Sequence, residues 1–174
     1  MVGEGAALLV SRALSAAGLE PDLETALPRF LAHYDERLAV HTTLYPGIDE
    51  TLHALAARGP LAVLTNKPQH HTERLLDALG ISKHFGEVVG GDTPFGRKPD
   101  PSGLRHVMAA VGVTAADTVL VGDSAIDLRT AKAAGVRLCL VRYGFGYALA
   151  EAELDGSELI ADRASDIAPV VLTH

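Results

Sequence analysis

From Leu61 onward, short runs of β-branched and other apolar residues alternate with longer stretches whose apolar positions recur three and four residues apart. The short runs predict strands over 61–65, 87–91, 118–122, 138–143 and 158–161, each ended by turn or polar residues. The longer stretches predict helices over 70–79, 101–111, 125–134 and 147–154, with Leu75, Leu76 and Leu79 lining one face of the first. Gly80, Gly112 and Gly135 follow three of these runs, where a helix C-terminal glycine belongs. Strand alternating with helix implies parallel strands joined by helical crossovers, an α/β layered fold. The first 45 or so residues differ: 4–17 and 22–40 read as helices with no strand between them, punctuated by Gly18 and Pro21. Tyr45-Pro46-Gly47 then leads to a helix over 48–58, and 162–174 adds one short helix. The division expected is a partial helical appendage over 1–45 and an α/β core over 46–174.

Composition narrows the class. The 174 residues are 48% hydrophobic and 21% charged, with mean hydropathy +0.19, so the chain can bury a core and is not disordered. Its longest apolar runs, such as Leu61 to Leu64, are too short to span a bilayer, and no basic segment followed by an apolar one opens the chain as a secretory signal would. A formal charge of −7 makes nucleic acid an unsuitable partner. The lone Cys139, between Leu138 and Leu140, reads as a buried small hydrophobe. A soluble cytoplasmic protein, with neither nucleic acid nor membrane as partner, is the expectation.

In a parallel α/β sheet, working residues collect at the carboxyl ends of strands. The first strand ends Leu64-Thr65-Asn66-Lys67-Pro68, where a hydroxyl and an amide before a helix can donate to a phosphate oxygen; Thr65 could equally cap the following turn. The third ends Gly122-Asp123-Ser124, with Asp127 in the first turn of the next helix. Two carboxylates at one loop mouth suit Mg²⁺, although Asp123 or Ser124 as helix cap and Asp127 as dipole partner would use the same residues. Gly122 beside the pair permits close backbone approach and favours the metal reading. Lys98, held between glycine and proline in Gly96-Arg97-Lys98-Pro99, can neutralise a phosphoryl group and a carboxylate together, unless it is simply a solvated loop lysine. Asp92 reads as a turn residue. His70 and His71 start a helix near the same mouth, as acid–base groups or, more blandly, as exposed helix-start histidines. The sequence holds no Ser-His-Asp signature, zinc cysteine cluster, GxGxxG loop or Walker motif.

Thr65, Lys98 and the Asp123/Asp127 pair, in that order at successive strand ends, resemble the haloacid dehalogenase superfamily, most closely its phosphoglycolate phosphatase-like branch. Leu64-Thr65-Asn66-Lys67-Pro68 is similar to its second motif, Gly96-Arg97-Lys98-Pro99-Asp100-Pro101 to its third, and Val121-Gly122-Asp123-Ser124 with Asp127 to its fourth. The resemblance implies a Rossmannoid parallel sheet with helices on both faces and a helical cap. It implies that Thr65 holds phosphate, that Lys98 stabilises a phosphorylated intermediate, and that Asp123 and Asp127 hold Mg²⁺ directly or through water. Asp123, Lys98 and Thr65 are thus the candidate catalytic residues, and Thr65, Asn66 and Lys98 the candidate phosphate binders.

The family opens with a central strand ending in Asp-x-Asp, which carries its nucleophile and its general acid–base. No such element is found here, and Val2-Gly3-Glu4-Gly5-Ala6 is similar to the middle of the family's cap. The expected function is therefore a Mg²⁺-dependent hydrolase of small phosphomonoesters using another route. The alternatives are a non-catalytic relative that binds phosphate, metal or a protein partner, and a longer phosphatase in which Met1 is internal. Without the central strand, the strands ending at Thr65 and Asp123 must either pair directly or be covered by another chain. A homo-oligomer, a dimer, over that seam is the expectation.

Overall fold

The structure, a computed structural model, describes residues 5–20 and 22–173. The opening residues 2–4, Pro21 and His174, on which parts of the reading above fall, lie outside them. Helices α1 (Ala6–Ala16) and α2 (Leu23–Arg37) come first and pack on each other. Then follow α3 (Ile48–Ala56), β1 (Leu61–Leu64), α4 (Gln69–Ala78), β2 (Phe85–Val89), α5 (Ser102–Val111), β3 (Val119–Gly122), α6 (Ala125–Ala134), β4 (Arg137–Val141), α7 (Tyr147–Ala150), β5 (Leu159–Ala161) and α8 (Ile167–Leu172). All observed strand pairs are parallel, as the alternation of strand and helix requires. No helix among the described residues is long and apolar enough to cross a membrane.

Two departures from the predicted spans have local causes. The second strand begins at Phe85 and stops at Val89, because Gly90 and Gly91 turn in against the loop after β1. A Cβ on Gly90 would lie 2.4 Å from the Gln69 nitrogen, and one on Gly91 would lie 2.4 Å from the Asn66 carbonyl oxygen. These glycines are there to let backbone meet backbone. The helix expected over 147–154 is a four-residue helix that tightens into a 3₁₀ turn at Glu151–Glu153.

Strand β4 is covered on both faces. Leu138 and Leu140 face a cluster with Leu104 and Met108 of α5 and Leu128 of α6. Cys139 and Val141 face the other way, against Ala161 and Ile167, with Ile48 and Leu55 of α3 packed alongside. This alternation is the period-two geometry of a strand between two helical layers. Cys139 is fully buried, and burial pushes its thiol up to about 11, so it behaves as the apolar residue its neighbours implied.

The strands form two sheets, ordered β1-β2 and β3-β4-β5. Among the described residues, no strand pairs with the outer edge of β1 or of β3. The direct pairing of these two strands, one of the two expected outcomes, does not occur. An apolar groove of about 530 Å³ is lined by both strands, with Leu104 and Val107 of α5 and Ile167 of α8 also in its wall. The whole of β1 is only half-buried, and Val121 on β3 is 41% exposed. Apolar strand residues this accessible leave both backbone hydrogen-bonding capacity and hydrophobic area unused.

Candidate active site

The loops after β1, β2 and β3 meet at one edge of the molecule through a chain of hydrogen bonds. After β1, the buried Asn66 donates from Nδ2 to the Lys98 carbonyl at 2.9 Å. Lys98 donates from Nζ to Asp127 Oδ1 at 2.6 Å. Asp127 Oδ2 accepts from the backbone N–H groups of Asp123 and Ser124, at 3.2 and 3.1 Å, and from the Ser124 hydroxyl at 2.6 Å. Three segments separated by tens of residues are thereby held as one unit.

Helix α6 starts here because Ser124 is its N-cap and Asp127 its N3 residue, a reciprocal capping box that satisfies otherwise orphaned N–H groups. The capping and dipole role weighed for these residues is therefore real, and it coexists with the ion pair. Burial raises the Asp127 pKa, yet the Lys98 charge and hydrogen bond, with the Ser124 and Asp123 donors, outweigh it and hold the carboxyl below its usual range. Gly122 belongs to the same device, since a Cβ there would lie 2.4 Å from the Asp127 carboxylate carbon. Its close approach serves the buried carboxylate of Asp127.

Asp123 sits differently. It is half-buried, and its Oδ2 accepts from the Gly146 N–H at 3.3 Å. Its Oδ1 accepts nothing from the described residues. The loop after β4 closes over this side chain: a Cβ on Gly144 would lie 2.2 Å from Asp123 Cβ. This loop was assigned no role from the sequence, although two glycines, Gly144 and Gly146, directly after a strand were a signal for it. The mouth thus offers one open carboxylate oxygen, a hard donor of the kind Mg²⁺ takes alongside water and phosphate oxygens. Asp127 is at the same mouth, but both its oxygens already accept from donors, and direct ligation would displace Lys98.

The remaining candidates divide. Thr65 Oγ1 accepts from the Lys67 N–H at 3.2 Å, which is the turn-capping role, and its own O–H stays available to donate to an anion. Asp92 accepts from the Gln69 N–H at 2.7 Å at the start of α4, a structural role as read from the sequence. His70 is exposed, but His71 is buried, which the reading of two exposed histidines did not anticipate. Its ring packs on Tyr34 of α2 with centroids 5.5 Å apart, and Nε2 lies 3.8 Å from Asp35. Asp35 also pairs with Arg74, and Lys67 donates to the Tyr34 hydroxyl. The face of α4 at His71 is thus turned to α2.

Comparison with known proteins identifies the family. Residues 10–141 match the haloacid dehalogenase-like hydrolase family. A phosphoglycolate phosphatase of Rhodospirillum rubrum is 46% identical over 153 residues, covering 83% of this chain and 64% of that protein. One from Pectobacterium atrosepticum is 38% identical over 174 residues, covering 98% of this chain and 74% of its own. The chain thus spans roughly two thirds to three quarters of these relatives. A crystal structure of a predicted phosphoglycolate phosphatase from Haemophilus somnus superposes with TM-score 0.86 at 33% identity, covering 99% of this chain and 79% of that one. With its three strand-end motifs joined through Asn66, Lys98 and Asp127, this chain belongs to the haloacid dehalogenase-like hydrolase family.

Proposed function

We propose that this protein is a phosphatase-like hydrolase that removes phosphate from small phosphomonoesters with Mg²⁺. The observation that carries the reading is the Lys98–Asp127 pair, 2.6 Å apart, beside an Asp123 oxygen left open and a Thr65 hydroxyl free to donate. The relatives' phosphoglycolate phosphatase activity supports the reaction class. Lys98 places a cation where a phosphoryl group would sit, and Asp127 fixes that cation without reaching the substrate itself. Thr65 and Asn66 set the phosphate against the end of β1. Asp123 would hold Mg²⁺, with Asp127 acting behind it, and an ion bound there would neutralise phosphoryl charge. In this reading water supplies the attacking oxygen, a route that uses no aspartyl nucleophile. The test is phosphate release from a chromogenic phosphomonoester. Turnover with Mg²⁺ that stops with EDTA is expected; no turnover in either would leave a phosphate- or metal-binding relative without catalysis.

A second proposal concerns the groove between β1 and β3. Two strands with open edges among the described residues and an apolar floor favour coverage by a second copy of this chain, making a homodimer. Sedimentation at micromolar concentration is expected to give twice the 18.2 kDa chain mass. Val121→Lys, which puts a charge into the groove, is expected to shift the protein toward monomer. A stable wild-type monomer would exclude the dimer.

A further inference from the structure

We propose a second metal site, formed by Asp49, His53 and His84, that binds a zinc-class divalent ion. It lies away from the mouth described above. His84 immediately precedes β2, at the amino end of the β1–β2 sheet, whereas Thr65 and Lys98 belong to loops beyond its carboxyl end.

Asp49 and His53 stand four residues apart on α3, a spacing that puts both on one helix face. His84 meets them from the 3₁₀ turn Ser82–His84. One ligand atom from each of the three residues lies within 4.8 Å of the others. Asp49 Oδ2 is 3.7 Å from the His53 ring at Nδ1, which donates to the Asp49 backbone carbonyl at 2.8 Å and so leaves Nε2 as the ring nitrogen able to bind a metal; Asp49 Oδ1 is 4.0 Å from His84 Nε2. The two imidazoles meet edge to face with centroids 4.6 Å apart. Metal–ligand distances of about 2 Å in a tetrahedral shell put donor atoms roughly 3.3 Å apart, so modest side-chain rotation closes the set.

The observation that asks for a ligand is His84. Its side chain is 7% exposed and its Nε2 is buried without a hydrogen-bond partner. A buried ring nitrogen left in this state is costly, and coordination to a cation answers the need. Asp49 and His53 are more than half exposed, which leaves the fourth position to water from solvent. Two imidazoles and one carboxylate select zinc and similar ions over Mg²⁺ and Ca²⁺, whose shells are built from oxygen. A bound ion ties α3 to the start of β2. Because Thr51, Leu52 and Leu55 of the same helix line the apolar groove, the ion also fixes one wall of that groove.

The test is titration of the full chain with ZnCl₂ by calorimetry, repeated for Asp49→Ala, His53→Ala and Asp123→Ala. One zinc per chain is expected. Affinity is expected to fall roughly tenfold or more in Asp49→Ala and His53→Ala and to be unchanged in Asp123→Ala. Both informative substitutions are at exposed positions, so folding is not at stake as it would be at His84. Substitution with Co²⁺ adds an independent readout: visible absorption of a low-coordinate ion, present in the wild type and absent in His53→Ala. Failure of the wild type to bind zinc stoichiometrically, or affinity unchanged in His53→Ala and Asp49→Ala, would overturn the site. Loss of binding in Asp123→Ala instead would place the ion at the mouth.

Discussion

Replacing Lys98 by alanine is expected to destabilise the protein by about 3 kcal/mol, because it leaves the Asp127 carboxylate buried without its counter-charge. The side chains of the pair are only 14% and 5% exposed, so solvent does not stand in for the lost ammonium. For a chain of this size that loss corresponds to a fall of about 6–12 °C in the unfolding midpoint. The double variant Lys98→Met, Asp127→Asn removes both charges but keeps an oxygen to accept from Asp123, Ser124 and the cap. It is expected to recover most of the stability and none of the phosphate turnover. Denaturant unfolding of both variants decides the matter, and a loss below 1 kcal/mol in Lys98→Ala would mean that Asp127 finds other compensation. The same pair predicts acid sensitivity. The Asp127 pKa is held below its unfolded value, so its contribution is complete above roughly pH 4 and drains away as pH falls through the folded value. In Lys98→Ala that acid limb is expected to shift to higher pH.

Asp123→Ala is expected to behave in the opposite manner, abolishing function while sparing the fold. Asp123 is half-buried, and among the described residues the one hydrogen bond it accepts through a side-chain oxygen is a long one from Gly146. Its removal is expected to cost only about 1 kcal/mol of stability. Mg²⁺-dependent phosphate release is expected to fall at least about a hundredfold, the scale on which loss of a groups-on-charge contact acts in hydrolytic sites. Calorimetry with Mg²⁺ and a phosphate analogue would report the same loss as weakened binding. Activity that survives the substitution would show that turnover arises at another site. The contrast between the two variants separates the cation that builds the mouth from the carboxylate that faces into it.

Much of the fold was legible because strands and helices write different periods into the chain. The α6 span 125–134 and the glycines closing α4, α5 and α6 were placed correctly, since each depends on contacts within a few residues. Errors fell where distant backbone intervenes, as at Gly90 and Gly91, which leave β2 to meet Gln69 and Asn66. His71 was misjudged for the same reason: its burial is made by Tyr34 and Asp35 of another helix. The meeting of Asp49 and His53 with His84 was not legible in the sequence, because His84 becomes their neighbour only through the packing of α3 against the start of β2.

The sequence by itself determined the alternation of strand and helix, the parallel pairing and the family motifs in which Thr65, Asn66, Lys98, Asp123 and Asp127 lie, all of which rest on local period and residue chemistry. Only the tertiary structure decided how the two aspartates divide their work. Asp127 is saturated by Lys98 and the α6 cap, while Asp123 keeps an oxygen open, a difference set by which donors the folded loops bring within hydrogen-bond reach. It also decided that β1 and β3 stay apart. Short apolar strands specify that they must be buried, but their partner is chosen by the packing of the helices around them.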